Sequence, residues 1–188
     1  MYSWIFSFCF TILLPGPNNK ILEFEPNKED ILMDRGIIYL SLSHYNLAIE
    51  DFSTALEVTK DNPNPLYYKY RAQAYAKIDE IENSIEDYSN AINLDPKYDE
   101  AYYDRGLLYY MKGDMEKALS DFDNAIEISP KDIYYNAKGL ANNTLGETSK
   151  AIEDFDKALS LDPNNSEAYK NRGDIYNNLS DFEHATTD

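Results

Sequence analysis

Residues 102–110 read YYDRGLLYY. A glycine in a helix interior costs about 1 kcal/mol relative to alanine. An arginine left unpaired on an apolar face costs more. Yet the pattern recurs, as LMDRGIIYL (32–40), YKYRAQAYA (68–76), YNAKGLANN (135–143) and YKNRGDIYN (169–177). A second block follows each: LAIEDFSTALEV (47–58), NSIEDYSNAINL (83–94), KALSDFDNAIEI (117–128), KAIEDFDKALSL (150–161) and the shorter HATTD (184–188). From Gly36 to Ala72, Gly106, Gly139 and Gly173 the steps are 36, 34, 33 and 34 residues. A fixed period in this range is the mark of a repeat architecture.

Each unit reads as two helices, with apolar residues at three- and four-residue spacing in both. Asp-Pro or Ser-Pro closes the second helix, because the residue before proline avoids the α region. KGDME (112–116) and LGETS (145–149) make the tight turn, with Gly113 or Gly146 free to take a positive φ. Folding the hairpin about that turn, at about 1.5 Å per residue, sets Gly106 opposite Ala118 and Gly139 opposite Ala151. The same construction sets each cation of the leading helix opposite an acid of the trailing one. The expected pairs are Arg35–Asp51, Arg71–Asp87, Arg105–Asp121, Lys138–Asp154 and Arg172–Asp188. Tyr102, Tyr109, Phe122 and Ile126 are expected in the core, with Ile128 sealing the next unit. A single hairpin cannot bury its apolar face, so stacked neighbours share one core.

This pattern resembles the tetratricopeptide repeat, a helix–turn–helix unit of about 34 residues. Tyr102, Gly106, Tyr109, Ala118, Phe122, Ala125 and Pro130 carry the resemblance in one unit. Tyr135, Gly139, Ala151, Phe155, Ala158 and Pro163 carry it in the next. Tyr68, Ala72, Tyr75, Ser84, Tyr88, Ala91 and Pro96 carry it in the preceding one. There are departures. Arg35, Arg71, Arg105, Lys138 and Arg172 stand where the family usually has leucine, and Asn142 stands where it has tyrosine. The first unit lacks the closing proline and has a longer linker, TKDNPNP (59–65), which leaves room for looser packing against the second. The resemblance implies an all-α fold, a right-handed α-α superhelix (solenoid) of stacked hairpins. Its expected units are 29–64, 65–98, 99–131, 132–165 and a partial 166–188.

In this family the leading helices line a concave groove. The matching residues include Lys69, Gln73, Tyr103, Leu107, Tyr110, Asn136, Leu140 and Asn143, and these are the expected peptide-binding residues. Tyrosine offers large contact area at low entropy cost together with a hydroxyl, and asparagine can both donate and accept. An extended or helical peptide is the ligand that such a groove implies. The carboxylate clamp of chaperone-tail binders is not expected, because its positions hold Lys69, Gln73, Asp104, Ile133 and Ala137, and only the first matches.

The chain carries 34 acidic against 17 basic residues, a net charge of −17. Such a surface repels phosphate backbones and anionic membranes, so neither nucleic acid nor membrane is an expected partner of the repeat domain. One cysteine, Cys9, excludes an internal disulfide and a cysteine zinc site. His44 and His184 stand alone, and no phosphate loop, nucleophile elbow or metal quartet appears. Glu50–Asp51, Glu86–Asp87 and Glu153–Asp154 are neighbours on helices and point about 100° apart, which is not a catalytic dyad. The chain is expected to be no enzyme, with no cofactor and no metal.

Residues 1–28 differ in character. MYSWIFSFCFTILL (1–14) is apolar with no basic start, and PGPNN breaks it. A helix of that length reaches about 21 Å, short of the roughly 30 Å hydrocarbon core. A signal peptide, a remnant helix and a wrong start all stay open. The overall expectation is a cytoplasmic adaptor that holds protein or peptide partners. The alternative is a truncated targeting module of a larger protein, an enzyme included, or a structural spacer. The fifth unit stops within its second helix, so self-association through that uncapped end is also expected.

Overall fold

A computed structural model describes residues 29–181. The apolar stretch 1–14, Cys9, His184 and Asp188 lie outside the described residues. Nine α-helices and no strand occur among those described: α1 (Glu29–Ser41), α2 (Tyr45–Val58), α3 (Pro65–Lys77), α4 (Ile81–Leu94), α5 (Asp99–Lys112), α6 (Met115–Ile128), α7 (Asp132–Thr144), α8 (Thr148–Leu161) and α9 (Ser166–Asn178). They form two compact units that divide between Leu94 and Asp95. No described helix is long and apolar enough to cross a membrane.

Local chemistry sets the helix ends. Asn64 caps α3 by accepting from the Leu66 N–H at 2.9 Å, with Pro65 as the first helical residue. Asn165 caps α9 by accepting from the Ala168 N–H at 2.9 Å. The turn inside every hairpin uses one left-handed residue. Gly113 (φ 80°) and Gly146 (φ 77°) fill it in the second unit, as their freedom allows. Ser43 (φ 60°), Asp79 (φ 64°) and Ser180 (φ 59°) hold the same place without that freedom.

In the first unit the core joins both hairpins. Leu32, Phe52, Ala55 and Leu56 of α1 and α2 cluster with Tyr67 and Ala74 of α3. The Phe52 and Tyr70 rings stack with centroids 5.8 Å apart. The longer linker therefore does not loosen this junction: Pro65 and Asn64 start α3 in a place where its apolar face still meets α2. In the second unit, Ala118 and Phe122 pack with Ala137 and Ala141, and Ala151, Phe155 and Ala158 pack with Ala168 and Ile175.

Packing adds one contact to the expectations and corrects another. First, the space above Gly36, Gly106 and Gly139 is filled by an aromatic ring. A Cβ on Gly106 would lie 2.7 Å from Phe122 Cε1, one on Gly139 2.7 Å from Phe155 Cε1, and one on Gly36 2.6 Å from Phe52 Cζ. In the second hairpin the small residue of the trailing helix reaches the facing backbone, where Ser84 Oγ donates to the Ala72 carbonyl at 2.8 Å. Second, Tyr102, Tyr109 and Ile126 are half-buried, not core. The buried stripe of the leading helices runs one residue earlier, through Tyr67 and Ala74, Ala101 and Leu108, Tyr134 and Ala141, and Ala168 and Ile175. Residues seven apart share a helical face, and this face meets the preceding hairpin within each unit.

Gly106→Ala should lower stability by about 1–3 kcal/mol through overpacking against the fully buried Phe122, despite alanine's better helix propensity. Urea unfolding monitored by circular dichroism measures it. Ser43→Gly should raise the thermal midpoint, because relieving a left-handed serine is worth about 1 kcal/mol. A calorimetric scan of that variant reads the shift.

Candidate functional site

Four aspartates of the trailing helices are buried, with Asp51, Asp87 and Asp121 each 3% exposed and Asp154 8%. The neighbouring Glu50, Glu86 and Glu153 are exposed. A buried carboxylate must find donors or stay protonated. Arg35 meets Asp51 with both arms of its guanidinium, Nε to Oδ2 at 2.7 Å and Nη2 to Oδ1 at 2.5 Å. Arg71 grips Asp87 at 2.7 and 2.8 Å, and Arg105 grips Asp121 at 2.8 Å through both Nε and Nη2. Burial pushes the carboxyls of Asp51 and Asp87 up, and the bonds from Arg35 and Arg71 pull them only part of the way back. These pairs are compensated buried charge, not surplus stability.

The tyrosines of YYDRGLLYY belong to this arrangement. Residues three before and four after a helical arginine share its face. Accordingly the Arg105 guanidinium lies 5.7 Å from the Tyr102 ring and 5.9 Å from the Tyr109 ring. Arg71 lies 5.7 Å from Tyr68 and 5.8 Å from Tyr75. The rings cover the cation from either side and shield the ion pair from water.

The fourth hairpin differs. Lys138 Nζ binds Asp123 of the preceding hairpin at 2.8 Å and stands 3.7 Å from Asp154. A lysine has no planar fork to span a carboxylate. Asn142 fills the gap, donating from Nδ2 to Asp154 Oδ2 at 2.7 Å. Burial pushes the Asp154 carboxyl up, and Lys138 and Asn142 partly offset it. The sequence marks Asn142 as a departure but assigns it no role, although the signal was present: the one unit with lysine is the one without the second tyrosine.

The same cations reach backwards. Arg71 Nη1 donates to Ser53 Oγ at 2.9 Å, and Arg172 Nη1 binds Asp156. Ser53, Asp123 and Asp156 occupy equivalent places on three of the trailing helices, two residues after the buried acid. The pairing expected between Arg172 and Asp188 falls outside the described residues.

A second junction joins α5 to α7. Lys131 Nζ lies 2.7 Å from Asp99 Oδ2, and Tyr134 OH donates to that oxygen at 2.9 Å. Burial first, and the bond to Asp99 second, push the Tyr134 hydroxyl up to about 12, while Lys131 opposes them.

The expected peptide-binding residues fall on both units. Lys69 and Gln73 are half-buried on α3, where Lys69 Nζ lies 5.5 Å from the Tyr70 ring. On the second unit, Leu107, Tyr110 and Leu140 are half-buried and Asn143 is exposed. Met111, beside Tyr110, is 71% exposed. Tyr110 OH and Thr144 Oγ1 are 3.2 Å apart, joining α5 to α7. Tyr103 is largely spent on packing: its ring lies 4.7 Å from Tyr134, and burial pushes its hydroxyl up. Asn136 departs from the expectation of an open groove residue. It is 7% exposed, and its Oδ1 accepts from Asn171 Nδ2 at 3.0 Å.

Family models for the tetratricopeptide repeat match residues 29–62, 99–132, 133–165 and 155–185, and one described as TPR repeat matches 72–113. The chain belongs to the tetratricopeptide repeat family. The small glutamine-rich tetratricopeptide repeat-containing protein 2 of Mycosarcoma maydis is 33% identical over 94 residues, 47% of this chain. The chain spans only about a quarter of that relative's length, 26%. Among solved structures, that of MamA is similar, with 30% identity and a TM-score of 0.73, covering 77% of this chain and 84% of that one. YrrB, a TPR protein with an unusual peptide-binding site, is 22% identical with a TM-score of 0.70, over 80% of this chain and 77% of its own, and so shares the fold. A tetratricopeptide chain of this kind is a protein-interaction module.

A double-mutant cycle on Arg105→Leu and Asp121→Leu should show strong coupling. Each single variant strands a buried partner and should cost about 3–5 kcal/mol, while the double variant should cost much less than their sum. Additive losses in chemical denaturation would contradict this account of the pair.

Proposed function

We propose that the chain is an adaptor that holds a protein or peptide partner against the leading-helix face of its second unit. The carrying observation is the juxtaposition there of partly open apolar side chains, Leu107, Tyr110, Met111 and Leu140, with the exposed amide of Asn143. Such a face gains from covering its apolar area and keeps polar groups ready for a peptide backbone. Lys69 and Gln73 offer a more polar face of the same helical register on the first unit. The peptide-binding site of YrrB supports the reading, since that protein has the same fold.

Panning a displayed peptide library against the immobilised chain tests this reading. Enriched peptides should bind the wild type and lose at least about tenfold in affinity to Leu107→Glu and to Tyr110→Ala, a loss of about 1.4 kcal/mol. Both variants should keep the wild-type circular dichroism spectrum. A library that enriches nothing, or peptides indifferent to both substitutions, would remove the proposal.

A further inference from the structure

The leading helices α3, α5, α7 and α9 each turn one apolar stripe towards the preceding hairpin or unit boundary. Tyr67 and Ala74, Ala101 and Leu108, Tyr134 and Ala141, and Ala168 and Ile175 occupy it, and all are buried. The equivalent places on α1, five residues before Gly36 and two after it, hold Ile31 and Ile38. Both are only half-buried. The outer face of a terminal repeat is ordinarily polar. Two isoleucines seven residues apart on one helical face are instead what a covered stripe carries.

The chain holds a segment of the right pattern to cover it. Residues 20–26, KILEFEP, lie outside the described residues. Their sequence parallels NAINLDP (90–96), NAIEISP (124–130) and KALSLDP (157–163), where three trailing helices end. Pro26 precedes Gly36 by ten residues, as Pro96 precedes Gly106 and Pro163 precedes Gly173. In this register Leu22 takes the place of Leu56, Ile92 and Leu159, which are buried, and Glu23 that of Glu57, Asn93, Glu127 and Ser160, which are exposed. Ile21 departs, standing where the others have alanine. Upstream the parallel stops, because the place of the buried aspartate falls on Pro17. Asn18 and Asn19 follow that proline, and asparagine is a favoured residue at a helix start.

The described hairpins show where such a leucine goes. Leu56 clusters with Tyr67 and Ala74, and Leu159 with Ala168 and Ile175. Leu159 precedes Ala168 by nine residues and Ile175 by sixteen, and Leu22 precedes Ile31 and Ile38 by the same two intervals.

We propose that residues 20–25 dock on the outer face of α1 as the closing turns of a trailing helix, with Leu22 covering Ile31 and Ile38. The proposal does not depend on the leading-helix docking face. A helix of six residues cannot hold itself together in water, so the contact with α1 is what orders it, and covering the stripe and forming the helix are one event. The outer face of the first unit is thereby reserved for the chain itself. A second copy or another partner reaches it only by displacing the segment.

Nuclear Overhauser contacts between methyl groups of the full-length chain test this directly. Leu22 methyls should show contacts to the methyls of Ile31 and Ile38. Their absence would overturn the proposal. So would contacts that appear only between differently labelled chains in a mixed sample, which would assign the stripe to a second copy. Hydrogen exchange gives a second arm. Leu22→Asp should speed exchange of the α1 amides at least about tenfold while those of α7 and α9 keep their wild-type rates. Glu23→Gln, beside it on the water-facing side, should leave all of them unchanged. Exchange in α1 that ignores Leu22→Asp, or rises equally in α7 and α9, would count against a local cover on α1, as would an equal response to Glu23→Gln.

Discussion

A buried aspartate on every described trailing helix is the constraint from which the rest of each hairpin follows. A carboxylate cannot be left without donors away from water, so the facing helix must bring a cation to the same height. The arginine fork answers it at three hairpins with two bonds each. That requirement explains the charge on an otherwise aromatic stretch, and the tyrosines beside it. It also fixes the axial register of the two helices, because a slip of one residue would rotate the acid away from its partner. Close approach is secured separately, by a glycine whose missing Cβ admits the phenylalanine ring.

Much of this could be read from the sequence, and the part that failed has a common cause. The period, the left-handed glycine turns and the equal heights of cation and acid all follow from counting residues along straight helices. Counting gives height but gives the azimuth only coarsely. The buried stripe was therefore placed one residue too late, on Tyr102 and Tyr109 in place of Ala101 and Leu108. Counting likewise gave no sign that Phe122, one turn beyond Ala118, reaches across to Gly106. The linker at 59–65 misled for another reason: extra residues that begin a helix with Asn-Pro are ordered by the cap, not loosened by length.

The face of the leading helices was legible as a set of positions but not as a set of free groups. Leu107, Tyr110, Leu140 and Asn143 remain at least partly open. Tyr103 is consumed by a neighbouring ring, and Asn136 is buried against Asn171. Both outcomes depend on what the next hairpin presents, which no single-unit reading contains. Asn142 shows the same dependence in reverse, since its value comes from the lysine that replaces an arginine four residues earlier.

The pairing scheme has an evolutionary corollary. Every buried acid is satisfied chiefly from within its own hairpin, whereas the backward contacts of Lys138 and Arg172 end on Asp123 and Asp156, whose side chains are 60% and 53% exposed. Excising or duplicating one whole hairpin would therefore carry each buried arginine–aspartate pair along intact, and the bonds it broke would be those between hairpins, such as Lys131 with Asp99. An array wired in this way can change its number of units by a single recombination event without first repairing its buried arginine–aspartate pairs.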